Sequence, residues 1–268
     1  MRATSRHQSM PGVRHKEKGG LFPLTELIIE NEKGAQAMGR PIGRYLTLAF
    51  PPLFSLTDDE EKKAIHLLGE CLSLLLPKEG SVLVVGLGNR HLTADAIGAR
   101  VVESLVPSYC DRKLFCIAPG VGEQSGLASA DYVKALVDAV SPACVLAIDA
   151  LVARGRERLA CTIQLTDTGI VPGSGICRNK SGLTPLVLGV PVISVGVPTM
   201  MHLGGALLEL LGTAADALPS ELFDALNARR EYILPDGIEL ALENAVHLIS
   251  RAILSLPACS NWQGRGIE

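Results

Sequence analysis

The sequence predicts an α/β protein built on a mixed, mostly parallel sheet sandwiched by helices. Apolar runs of strand length recur along the 268 residues and alternate with stretches of helical periodicity, the pattern of strands joined by helical crossovers. Some of these runs, SVLVVG and CVLAI among them, are almost wholly apolar, as strands covered on both faces must be. Composition agrees: 47% hydrophobic and 20% charged residues supply a substantial core, and with only 4% aromatics that core is made of Leu, Val, Ile and Ala.

Taken in order, residues 1–20 are polar and basic without periodicity, and are expected to form a mobile N-terminal segment. Residues 21–268 are expected to form a single α/β domain with a helical C-terminal part. LFPLTELIIE and GRYLTLAF read as strands separated by a polar turn around Asn31 to Gly34. Thr57-Asp58-Asp59-Glu60 has the capping-box pattern and opens an amphipathic helix that Pro77 closes. A strand at Val82–Val85 leads through Gly-Leu-Gly-Asn into a helix from about Ala94. LFCIAP is a short strand, Asp131 to Val140 a helix, and CVLAID, TIQL and PVISVGVP are further strands. Ile238, Leu242, Ala245, Val246, Ile249, Ile253 and Leu256 keep a three-and-four spacing that makes one apolar stripe, read as a core-packing helix.

The bulk numbers exclude several function classes. A net charge of −3 and few aromatics give no basis for a direct nucleic-acid partner. No uninterrupted apolar run reaches membrane-spanning length, and no signal-peptide core follows the N-terminus, so no membrane partner is expected. Seven cysteines without a CxxC pair read as reduced thiols of a cytoplasmic protein. Cys71 and Cys144 are expected in the core, while Cys177 stands beside a glycine-rich loop.

Chemistry concentrates on two aspartates that follow apolar runs, Asp95 in SVLVVGLGNRHLTADAIG and Asp149 in CVLAIDALVAR. In a parallel sheet both come to the carboxyl edge, where open α/β sheets place their active sites. Asp95 alone reads as a first-turn acid, capped by Thr93 and stabilised as an anion by the helix N-terminus. Asp149 is harder to explain structurally, because five apolar residues precede it and burial of a carboxyl without a partner is expensive. Two carboxylates whose environments separate their pKa values can serve as general base and general acid, so the pair points to hydrolysis.

Other motifs are weaker. VVGLGN lacks the third glycine of a dinucleotide fingerprint, because His91 occupies that place, and its glycines read as a tight strand-to-helix turn. No cofactor is expected. TIQLTDTGIVPGSG adds Asp167, Thr168, Gly173 and Ser174, which with Gly88 and Asn89 form loops suited to holding an extended substrate backbone. Arg154, Arg156, Glu157 and Arg158 read as a solvated charged face. His91 and His202 could join the aspartates around a metal, but no HxxxH-type spacing supports this and no metal ligand is assigned.

The blocks VVGLGN, TADAIG, PGV, AIDALVAR, TIQLTDTGIVPGSG and LGVPVISVGVPT, preceded by EKGAQAMGRPIGRYLTL, occur in the order found in the germination proteases of spore-forming bacteria. The chain resembles that family from about Pro11 to about Thr199. The resemblance implies an endopeptidase of atypical aspartic type, made as a zymogen, that initiates degradation of small acid-soluble DNA-binding spore proteins during germination. It also implies a fold similar to the hydrogenase maturation endopeptidases, a homotetramer, and a place in the cytoplasm of the spore core. The two aspartates held essential in that family match Asp95 and Asp149. Departures stand at Arg90, Ala94, Ala99 and His202, where the family has tryptophan, proline, proline and aspartate, and no acidic and apolar cleavage stretch precedes Pro11. Two alternatives remain open on the sequence: a metal-dependent maturation-type peptidase using the same carboxylates, and a non-catalytic paralogue that binds spore proteins without cutting them.

Overall fold

The structure is a computed structural model describing residues 10–105, 114–120, 128–153, 155–171, 182–228 and 231–256. Its strands are β1 (Val13–Lys18), β2 (Leu24–Ile29), β3 (Gly43–Ala49), β4 (Val82–Gly86), β5 (Leu114–Ile117), β6 (Cys144–Ala153), β7 (Thr162–Thr166), β8 (Val192–His202) and β9 (Tyr232–Ile233). All belong to one mixed sheet in the order β1-β2-β3-β7-β8-β6-β4-β5, with β9 added to the end of β8. The parallel part is the half β8-β6-β4-β5, and the remaining pairings are antiparallel. The described helices are α1 (Glu32–Met38), α2 (Asp58–Leu75), α3 (Ile97–Leu105), α4 (Ser129–Val140), α5 (Pro185–Leu188), α6 (Leu203–Leu211), α7 (Ser220–Asn227) and α8 (Ile238–Leu254).

The central strands show why the sheet needs cover on both sides. In β4 and β6, Val82, Val84, Leu146 and Ile148 face one core, which α2, α3 and α8 complete. Leu83, Val85, Val145 and Ala147 face the other, closed by Ala130, Val133 and Val137 of α4 and Leu188 of α5. Both β4 and β6 are therefore buried on alternate residues in both directions, which is the meaning of their unbroken apolar runs. Emptying one such position is costly: Leu146 is fully buried, and its truncation to alanine removes about 2–5 kcal/mol. Helix α2 begins with the expected capping box, Glu60 N–H donating to the Thr57 hydroxyl and Thr57 N–H to the Glu60 carboxylate. Helix α8 buries Leu242, Ala245, Ile249 and Ile253 of the stripe against α2 and α3.

Two N-terminal expectations change. Residues 13–18 are not a mobile tail: VRHKEK forms edge strand β1, paired over its whole length with β2 and joined to it by the Arg14–Glu30 ion pair at 2.5 Å. An edge strand exposed to water needs no apolar alternation, and charges discourage further strand addition. The turn expected at Asn31 to Gly34 is instead the start of α1. Asn31 caps it, accepting from Gly34 N–H at 3.1 Å, and Gly39 ends it in the left-handed conformation.

The order of crossovers positions the site. From β4 the chain passes through α3, on one face, to β5 on one side of β4; it then returns through α4, on the opposite face, to β6 on the other side. The crossovers thus leave opposite faces of this half-sheet, and open α/β sheets with this arrangement place their sites outside the carboxyl ends of the strands. Asp95 follows β4 and Asp149 belongs to β6.

Candidate active site

Beyond β4 the chain turns in a way that needs glycine twice. Gly88 has φ of +95°, and a Cβ there would stand 3.0 Å from the Cγ and Oδ1 of Asp95 and closer still to its carbonyl oxygen. Gly86 is required by close approach, since a side chain would run into the backbone carbonyl of Gly98 in α3. The glycines of VVGLGN therefore pack a helix backbone-to-backbone on its strand and fold the loop over Asp95.

Asp95 closes a 3-10 turn, Thr93–Asp95, that is separate from α3. The expectation of a first-turn aspartate capped by Thr93 is not met: Leu92 takes the cap position with no side-chain bond, and α3 begins only at Ile97. The carboxylate is used differently. Its Oδ2 accepts the Asn89 N–H at 2.7 Å, and Asn89 Oδ1 accepts the His91 N–H at 3.0 Å. Asn89 N–H thus serves Asp95. Underneath, the turn rests on β6, β8 and α8, and Leu87 N–H donates to Ile148 O at 2.8 Å, stitching the end of β4 to the residue before Asp149.

Asp149 stands inside β6, not at its end. The ladder to β4 stops at Gly86–Ile148, whereas the ladder to β8 runs on to Ala153, with a register shift after Leu151. β6 continues because β8 continues beside it; the apolar run ended at Asp149 only in composition. At 5% exposure Asp149 is a buried carboxylate at the first position that β4 no longer covers. Its Oδ1 accepts the Ala150 N–H at 3.0 Å.

Beside Asp149 lies a cavity of about 370 Å³. Register explains its floor. Asp149 pairs with Gly196, Gly196 with Gln164 and Gln164 with Thr47, so these four share one face of the sheet in a row across β6, β8, β7 and β3. Ser194, Thr166 and Tyr45 form the next row. All but Asp149 line the cavity, together with Leu151, Thr168 and Arg40. The Arg40 guanidinium lies 5.3 Å from the Tyr45 ring centre, and the Tyr45 hydroxyl donates to Pro41 O at 2.7 Å. Burial pushes the Tyr45 phenol above its ordinary pKa.

The other expected site residues divide. Thr168 lines the cavity, its hydroxyl 3.0 Å from that of Thr166. Asp167 is turned to structural use: its Oδ1 accepts the Arg44 N–H at 2.8 Å, extending the β3–β7 pairing. Gly173, Ser174 and Cys177 lie outside the described residues. His91 is exposed, and His202 ends β8 with its ring 4.6 Å from Tyr232 and its Nδ1 buried without a hydrogen-bond partner. Among the described residues no group of three or more His, Cys, Asp or Glu gathers in a metal-binding arrangement. Arg156–Arg158 form an exposed 3-10 turn, a solvated face as expected for these three residues, whereas Arg154 lies outside the described residues. The sequence reading did not single out Tyr45, Thr47, Gln164, Ser194 or Gly196. A signal existed, because in β3, β7 and β8 these residues alternate with buried Leu, Ile and Val and mark a polar sheet face.

The model of the germination protease family matches residues 2–206 of this chain. The chain belongs to the germination protease family. A germination protease of Caldanaerobacter subterraneus subsp. tengcongensis is 34% identical over 287 aligned positions, covering 92% of this chain and 89% of the relative. One from Clostridium perfringens is 37% identical over 223 positions, covering 78% and 67%. Among solved structures, the NiFe hydrogenase maturation protease HycI of Thermococcus kodakarensis aligns with 68% of this chain and 98% of its own, at 14% identity and a TM-score of 0.41. As a germination protease the chain is a peptidase, and the family match contains Asp95, Asp149 and the cavity-lining strands. Among the described residues no helix is long and apolar enough to cross a membrane.

Proposed function

We propose that this germination protease is the endopeptidase that begins degradation of small acid-soluble DNA-binding spore proteins, with Asp149 and Asp95 as its hydrolytic pair. The observation that carries the reading is Asp149, a carboxylate buried within a central strand just beyond the last residue that β4 covers and paired with Gly196 of the cavity lining. A fold spends stability to bury such a group, and a buried carboxylate beside a cavity is a candidate for acid–base chemistry. The row Gly196, Gln164, Thr47 runs away from Asp149, and its hydroxyl and amide groups suit an extended peptide laid across the sheet face.

In this scheme one carboxylate takes a proton from water as the oxygen attacks the scissile carbonyl. The other gives its proton to the departing amine as the C–N bond breaks, and the proton gained by the base restores the pair after product release. The enzyme works without a cofactor in the cytoplasm of the spore core, as a homotetramer.

Incubation of the protein with an α/β-type small acid-soluble spore protein, with and without EDTA, followed by mass spectrometry, tests the reading. Discrete cleavage that EDTA leaves unchanged, and that is lost in Asp149→Asn and Asp95→Asn with near-native unfolding temperatures, is the expected result. Cleavage retained by both variants refutes the pair. EDTA-sensitive cleavage transfers the carboxylates to a metal-dependent scheme, and tight binding without cleavage identifies a non-catalytic binder.

A further inference from the structure

One long-range hydrogen bond connects β8 to the turn that carries Asp95. Thr199 is 1% exposed, and its hydroxyl donates to the Ala94 carbonyl at 2.5 Å across 105 residues of sequence. Ala94 is the middle residue of the Thr93–Asp95 turn, whose capping position Leu92 contributes no side-chain bond. The turn's own bonds are Asp95 N–H to Leu92 O at 2.8 Å and Ala96 N–H to Thr93 O at 3.3 Å, the second of them long.

We infer that Thr199 is the positioning residue for Asp95, setting the height and rotation of that carboxylate relative to Asp149. This rests on the reading of Asp95 as one of the two hydrolytic groups. Thr199 acts through the backbone: its hydroxyl holds the carbonyl next to Asp95 from below, while Asn89 N–H holds the carboxylate from the loop. The reference frame is the sheet itself, because Thr199 sits in the strand that pairs with β6 on both sides of Asp149. With the hydroxyl gone, the Ala94 carbonyl is left buried without that donor and the turn can shift to seek another. A shift of about 1 Å in a reacting group is enough to lower turnover on the order of 100-fold.

Thr199→Val keeps the shape and deletes the donor; Thr199→Ser keeps the donor. With an α/β-type small acid-soluble spore protein as substrate, Thr199→Val is expected to lower kcat roughly 10- to 100-fold with KM within about twofold of wild type. Thr199→Ser is expected to restore kcat to within about threefold. Amide hydrogen exchange over residues 89–97, measured without substrate, is expected to rise in the valine variant and not in the serine variant. Wild-type kcat in Thr199→Val, a change confined to KM, or unaltered exchange would each overturn the inference. If the valine variant does not fold, Thr199→Ser is compared with Thr199→Ala, which lose the same methyl group, and equal kcat and equal exchange in the two would overturn it. Asp95→Asn is measured in parallel: activity retained there defeats the reading of Asp95, whereas an inactive Asp95→Asn beside a fully active Thr199→Val defeats only the role of Thr199.

Discussion

Substituting Gly88 by alanine should damage catalysis well beyond its effect on stability. The backbone at Gly88 has φ of +95°, which disfavours any side chain by about 1–2 kcal/mol. Steric overlap adds to this, because the new Cβ would lie 3.0 Å from the Asp95 carboxyl carbon and closer to the Asp95 carbonyl, which is backbone and cannot swing away. Together the two effects should cost roughly 2–4 kcal/mol, or about 5–15 °C in Tm for a protein of this size. Relief requires the Asp95 turn to move by about 1 Å, which predicts a loss in kcat on the order of 100-fold. Gly189→Ala is the matched control: its φ is +77°, but no atom lies within 4 Å of the Cβ position, so only strain is introduced. It should lose about 1 kcal/mol and keep its kcat. Steady-state cleavage and thermal unfolding of both variants measure the difference. A Gly88→Ala enzyme with wild-type kcat, or one no slower than Gly189→Ala, would refute the claim that Gly88 exists to admit the Asp95 turn.

Three further outcomes follow from the same geometry. Asp167→Ala removes the acceptor of the Arg44 N–H and should cost about 1 kcal/mol in denaturant unfolding while leaving kcat unchanged, which separates a strand tie from a substrate contact. Glu60 is held below the ordinary carboxylate range, chiefly by the Thr57 backbone N–H. Its folded pKa is depressed, so its stabilising effect is present above the unfolded carboxylate pKa and lost as pH falls through the folded value; the Tm gap between wild type and Glu60→Gln should therefore close on acidification. Burial pushes the Cys71 thiol up to about 11, which leaves roughly a thousandth as thiolate at pH 8; iodoacetamide labelling read by mass spectrometry should spare Cys71 in the native protein and modify it in denaturant.

Legibility followed the range of the interactions involved. Asp95 and Asp149 stood out because each breaks an apolar pattern within a few residues of sequence, and the capping box of α2 and the stripe of α8 are equally local. Helix α1 carried its own signs, Asn31 at one end and Gly39 at the other, but seven residues are too few to show a convincing periodicity. β1 gave no sign, since an exposed edge strand is held by backbone pairing with β2 rather than by buried side chains. The environment of Asp95 was misread because the helix N-terminus and the Asn89 N–H compete for the same carboxylate, and only the folded loop shows that Asn89 has it.

By itself, the sequence determined the alternation of strands and helices and the two-sided burial of the central strands, and it singled out the two aspartates as candidates, because each depends on residue types at short and regular spacing. Tertiary structure decided the rest. Which strands become neighbours brought the Asp95 turn after β4 beside Asp149 of β6; how far β8 runs beside β6 placed Asp149 inside a strand rather than at its tip. The cavity floor joins β3 to three strands more than ninety residues further along the chain, and the Thr199–Ala94 bond spans 105 residues. Such features arise from register and packing between distant segments, where a shift of one residue would turn every side chain to the opposite face.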